Sequence, residues 1–251
     1  MADKIKMLTF KALAAKAEVE IAESKKKKAF DELLNQMKTE GMKNTQFVAK
    51  DGTKVNSVFV TKTILDFDID KLEKKLPDYL YYHNVKHTVD VVTEVELIGW
   101  AEGCTDEEIL LLKTAALFHD AGHTVSYDNH EFHGTQLARE MLPAYNYTSE
   151  QIERICEIIM ATQLPPKPAN LLENIICDSD LDYLGRSDFI PVSNTLYEEL
   201  KAQNKIGSLN DWNKLQVKFI TGHQYFTGTA RRLREVNKRQ QIERLQSLIE
   251  E

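Results

Sequence analysis

The stretch Leu117-Phe118-His119-Asp120-Ala121-Gly122-His123 decides how this chain is read. An apolar run ends on an imidazole and a carboxylate side by side, with a second imidazole three residues beyond the aspartate. Neutral imidazole and ionised carboxylate are the usual nitrogen and oxygen donors for first-row divalent cations. Imidazole is also the side chain most readily poised as an acid or base near neutral pH. Six of the seven histidines fall between positions 83 and 133: His83, His87, His119, His123, His130 and His133. That concentration points to metal-assisted hydrolysis before any fold is known.

The flanking sequence is helical in texture. Asn84 to Glu102 and Thr105 to His119 carry apolar residues at helical spacing, and Thr105 with Glu108 forms a capping box for the second run. His83 and His87, four apart at a predicted helix start, would project from one face. His119 and Asp120 fall at a predicted helix end, where both can turn toward one ion; Gly122 would let the chain bend and return His123 to the same pocket. Farther on, Cys177-Asp178-Ser179-Asp180-Leu181-Asp182 supplies a third carboxylate source after an apolar helix. More helices are predicted near 130–142, 148–161, 168–177, 189–203, 210–222 and 226–250, with connections marked by Pro165, Pro166 and Pro168 and by Gly207-Ser208.

Before the histidine cluster the texture differs. Residues 3–39 read as one long helix whose positions Leu8, Ala12, Ala15, Val19, Ala22, Ala29 and Leu33 form a thin seam, ended by Gly41. The seam suits a homodimer or a partner helix; packing on its own domain reads equally well. Residues 46–61 flank Asp51-Gly52 as a short β-hairpin, and a helix over 68–75 precedes Pro77. The expected organisation is an appendage over 1–65 and a catalytic domain over 66–251.

Composition narrows the function classes. With 42% hydrophobic and 28% charged residues, and only 10 glycines and 6 prolines, the chain suits a helical globular domain. A net charge of −7 and the lack of an arginine-rich tract argue against a dedicated nucleic-acid binder. Small phosphorylated substrates stay open, because bound cations can supply positive charge locally. Three cysteines without CxxC spacing indicate neither a disulfide framework nor a thiolate zinc site. Without an 18-residue apolar run or a secretory h-region, a cytoplasmic protein with no membrane partner is expected.

The order Tyr82-His83-Asn84-x-x-His87, His119-Asp120-x-x-His123 and then a downstream aspartate resembles the HD superfamily of metal-dependent phosphohydrolases. Its opening motif further resembles the cyclic-nucleotide phosphodiesterase type, and the likeness extends over about residues 78–250. It implies a mostly α, multi-helix HD-domain bundle, here preceded by the long helix and hairpin. It also implies His87, His119 and Asp120 as ligands of the tighter metal, and Asp180 as the late aspartate, which fits better than Asp178. His83 takes the role of general acid, His123 sits beside the reacting water, and His130 supports or binds a second metal.

Two divalent ions are thereby implied, drawn from Mg, Mn, Zn or Fe. Asn84 and Arg231 are candidates for substrate contact; for Arg231 the competing reading is an interaction within its own helix end. No counterpart of the glutamine and aromatic clamp of the mammalian phosphodiesterases is present, so the substrate does not transfer. The expected function is hydrolysis of a cyclic or small nucleotide phosphodiester by a water that the metal acidifies. A phosphomonoesterase, a nucleotide pyrophosphohydrolase and a non-catalytic ligand-binding regulator are the alternatives.

Overall fold

The structure, a computed structural model, describes residues 75–249. The long helix expected over 3–39, the hairpin over 46–61, the domain boundary near 65 and nearly all of the helix over 68–75 lie outside the described residues.

Eight α-helices and no strand occur among the described residues. They are α1 (Val85–Ala101), α2 (Asp106–Phe118), α3 (His130–Met141), α4 (Ser149–Met160), α5 (Leu171–Asp180), α6 (Phe189–Ala202), α7 (Leu209–Gly222) and α8 (Gly228–Ser247). Short 3-10 turns at Ala121–Thr124, Leu142–Tyr145 and Asp182–Gly185 join several of them. None of these helices is long and apolar enough to cross a membrane.

Side-chain caps start several helices, among them the Thr105 box expected from the sequence. Thr105 with Glu108, Thr148 with Gln151 and Ser208 with Asp211 form reciprocal capping boxes, each satisfying otherwise unpaired N–H groups of a first turn. The expected 168–177 helix starts later and runs further, as Leu171–Asp180. The Asn170 side chain accepts from the Glu173 N–H, and this cap, not the prolines before it, sets the start. The extension keeps both Asp178 and Asp180 in the last turn of α5, where residues two apart point about 200° apart.

Helix α1 packs on α2 and α5, α2 on α4, and α4 on α3. Ile98, Leu112, Leu117, Ile155, Ile159 and Ile175 are fully buried between them. A smaller apolar cluster joins Tyr82, Leu184, Phe189, Ile220 and Leu245 beneath α6, α7 and α8. This packing gathers the start of α1, the end of α2, the start of α3 and the end of α5, and these four ends carry the histidines and aspartates.

Candidate metal centre

Asn84 is the N-cap of α1, and its Oδ1 accepts from the Lys86 and His87 N–H groups at 2.9 and 3.2 Å. His87 thus occupies the first turn of α1, while His83 stands ahead of the helix in a bend. The two do not share a helix face as the four-residue spacing suggested; their rings meet nearly perpendicular, 6.1 Å apart. Tyr82 packs against His87 with ring centroids 4.6 Å apart and holds it toward the interior.

His119 closes α2. Its Nδ1 donates to the Ala116 carbonyl at 2.7 Å, and because a carbonyl only accepts, Nε2 is the free lone pair. That Nε2 lies 3.3 Å from His87 Nε2, 3.3 Å from Asp120 Oδ2 and 3.5 Å from Asp180 Oδ1. His87 Nε2 in turn lies 3.0 Å from Asp180 Oδ1 and 3.4 Å from Asp120 Oδ2. Two imidazoles and two carboxylates from three segments therefore converge on one point.

The other oxygen of Asp120 faces a second group. Oδ1 is 3.4 Å from His130 Nε2 and 4.0 Å from His123 Nε2. His130 Nδ1 donates to the Tyr127 carbonyl at 3.3 Å, again leaving Nε2 free. The His123 and His130 rings stack at 4.0 Å, and His83 packs on His123 at 4.7 Å. The segments carrying them touch through main chain: a Cβ on Gly122 would collide with the backbone of His130 and Gly134, and one on Gly134 with the carbonyl of Phe118. Gly122 is required for this close approach and not for a sharp bend, since its φ is outside the left-handed region.

These residues fit a divalent cation on their own chemistry. Asp120 Oδ2 and both ring nitrogens of His123 are buried without a hydrogen-bond partner among the described residues. Orphaned atoms of this kind mark a site that something else completes. Donor atoms of His87, His119 and Asp120 lie within 4.8 Å of one another, as do those of His83, Asp120 and His123, so Asp120 belongs to both groups. Burial opposes ionisation of Asp120 and Asp180, but the facing imidazoles, His119 foremost, overrule it and hold both carboxyls below their ordinary range. Burial drives His123 the other way, down to about 3, so it stays a neutral imidazole.

Glu199, on α6, has no signature in the motifs. It is fully buried, accepts from the Tyr82 and His83 N–H groups at 2.8 and 3.0 Å, and binds His83 Nδ1 through a short hydrogen bond. Burial would lower His83, but that bond and the nearby carboxylates raise it above its ordinary range. Tyr127, also unforeseen, donates to Glu199 at 3.3 Å and lays its ring against His123. One signal for Glu199 was available: it continues the 189-192-196 spacing of α6, a charged residue on an apolar face.

Other sequence expectations fare differently. Asp178 is no part of the cluster, since it accepts from the Phe226 and Thr227 N–H groups and the Thr227 hydroxyl. Asp182 is buried against Arg234 at 2.6 Å. Arg231 donates its guanidinium to the carbonyls of Tyr225 and Phe226, just ahead of α8. The Asn84 side chain caps α1 through Oδ1 and donates from Nδ2 to the Tyr81 carbonyl. His133 is half-buried beside Phe132.

Residues 84–184 match the family model of the HD domain. A relative among curated proteins, an uncharacterized protein of Clostridium beijerinckii, is 35% identical over 82 residues, which are 31% of this chain and 51% of that protein. The match thus spans about half of that relative's length. Among solved structures, Bacillus subtilis YpgQ in complex with ADP superposes with a TM-score of 0.56 at 17% identity, over 75% of this chain and 95% of that one. A further crystal structure of Bacillus subtilis YpgQ gives 0.54 at 17% identity over the same shares. At these identities the likeness is one of fold. The HD-domain match covers residues 84–184, about two fifths of the chain, and supports placing that region in the HD superfamily.

Proposed function

We propose that this chain is a metal-dependent phosphohydrolase that cleaves a phosphodiester bond of a cyclic or small linear nucleotide. The observation carrying this reading is the convergence of His87, His119, Asp120 and Asp180, each imidazole 3.0 to 3.5 Å from both carboxylates, beside a His83 anchored by Glu199. Those four side chains would hold the tighter cation, and Asp120, with His123 and His130, a second. The mixed nitrogen and oxygen set favours Mn, Fe or Zn over Mg. A divalent cation there would acidify a water and neutralise the non-bridging phosphate oxygens.

The chain's own residues handle the leaving group. Glu199 engages His83 at Nδ1, so Nε2 is the nitrogen that carries a transferable proton. An imidazolium at His83, favoured by Glu199, gives that proton to the departing alkoxide. A ribose alkoxide needs such help far more than a phosphate leaving group does, so the His83–Glu199 pair favours a diester over a pyrophosphate. A nucleotide as substrate draws support from the similarly folded YpgQ, which was crystallised with ADP.

Elemental analysis and turnover of His119→Ala and Asp120→Ala test the metal assignment. Both variants should lose bound metal and at least about 10³-fold of hydrolysis, and retention of both properties overturns it. His83→Ala should slow a cyclic nucleotide by about 10²–10⁴-fold and an activated aryl phosphodiester far less; equal losses remove the general acid.

A further inference from the structure

His87 and Asp180 also form one end of a cavity of about 320 Å³, within the size range of small-molecule sites. Its remaining wall comes from α1, the Asp182–Gly185 turn and the start of α6. Five carboxylates line it, Asp90, Glu94, Asp180, Asp182 and Asp188, against two cations, Lys86 and Arg186. Neither cation is free: Lys86 binds Asp90 at 2.7 Å, and Arg186 binds Asp188 at 2.6 Å and Asp90 at 3.0 Å.

Asp182 and Glu94 are left with one shared partner, Arg234. It donates to Asp182 Oδ1 at 2.6 Å and stands 3.6 Å from Glu94 Oε1. Their other oxygens, Asp182 Oδ2 and Glu94 Oε2, are buried without a donor among the described residues, and Asp182 is only 2% exposed. An unpaired buried acceptor is costly, and because both side chains line the cavity a donor-bearing ligand would relieve that cost.

We propose that this cavity takes the non-reacting end of the substrate, and that Asp182 and Glu94 select an end that is uncharged and presents N–H or O–H donors. The edge of a nucleobase and the diol of a ribose share this chemistry. An end bearing a further phosphate meets carboxylates whose cations are already used, so it is turned away. The proposal rests on the phosphohydrolase reading for the orientation of the substrate, with its phosphoryl group at the His/Asp centre.

Calorimetry on the full chain tests it directly. The probes are the four nucleoside monophosphates, their 2′,3′-dideoxy forms, abasic ribose 5-phosphate and inorganic phosphate. Nucleoside monophosphates should bind at least tenfold tighter than inorganic phosphate. Retention by the dideoxy forms assigns the base edge, and retention by ribose 5-phosphate assigns the diol. Equal binding of all probes overturns the proposal, as does a nucleoside 3′,5′-bisphosphate that binds as tightly as the monophosphate.

Kinetics supply a second arm. Asp182→Asn and Glu94→Gln exchange an acceptor for a donor, and Thr195→Trp fills the rim from an exposed position outside the Arg234 network. Each should raise KM for a nucleotide at least tenfold more than KM for bis(p-nitrophenyl) phosphate, with kcat little changed. An equal effect on both substrates sinks the proposal, and Thr195→Trp keeps the test open if the carboxylate variants fail to fold. Failure of wild type to hydrolyse either substrate with any divalent metal would instead strike the phosphohydrolase reading, while calorimetry still judges the cavity.

Discussion

Asp178 and Asp180 sit two residues apart in the last turn of α5, yet they belong to different kinds of region. Asp178 is completely buried and saturated, with donors at 2.8, 2.7 and 2.7 Å that pin the start of α8 to α5. Asp180 faces imidazole nitrogens that are themselves ligand atoms, and its neighbour Asp120 keeps an oxygen with no hydrogen bond among the described residues. Both regions bury charge. One closes its hydrogen bonds and is architecture; the other leaves them open for a ligand.

The contrast breaks most directly at Asp178. Asp178→Ala strands three donors and should cost about 3–5 kcal/mol in urea denaturation, without changing the metal bound per folded molecule. Metal loss in protein that stays folded would show that the two regions are not separate.

A smaller effect is expected on the open side. Glu199→Gln keeps the shape of the group that holds His83 but weakens its charge, so kcat/KM for a cyclic nucleotide should fall about 10–100-fold, a fraction of what a general acid supplies. An activated aryl phosphodiester should be affected less, and the melting temperature should stay near that of wild type. Equal loss on both substrates would make Glu199 a structural support and not a positioning residue.

The smallest effect concerns His223, beyond α7. Burial first, and then the Lys238 ammonium 3.4 Å away, lower its pKa to about 4, with Glu235 opposing and the Tyr225 ring packed alongside. The unfolded chain takes up a proton near pH 6.5 that the folded chain refuses until about pH 4. Stability present above pH 6.5 should therefore fall by about 1–3 kcal/mol between pH 6.5 and 4, as judged by urea titration at each pH. His223→Phe should flatten that slope; an unchanged slope would move the acid sensitivity back to the carboxylate clusters.

Local patterning made most of the described fold legible. Helices expected over 84–102 and 105–119 stand at Val85–Ala101 and Asp106–Phe118, because their apolar spacing and the Thr105 capping box act within a few residues. The late start of α5 had a local cue too, Asn170 three residues before Glu173, but the prolines beside it masked the cap. The histidines and Asp120 stood out because several metal-ligand types crowd into two short motifs. Glu199 stood out less: its place on the apolar face of α6 is a cue, but its partner His83 is 116 residues away. The cavity beside Asp180 was less legible: Lys86 meets Asp90 one turn along the same helix, but Arg186 reaches that Asp90 only across the fold.

The bare contact of Gly122 with the first turn of α3 has a thermodynamic consequence. No side chain lies between the turn that carries His123 and the helix that carries His130, so the two imidazoles ride on one piece of main chain. Their relative freedom is surrendered when the domain folds and not when an ion arrives. An ion entering that half would meet preorganised donors and bind without an ordering penalty, while an alanine at Gly122 would weaken it by prising the two segments apart.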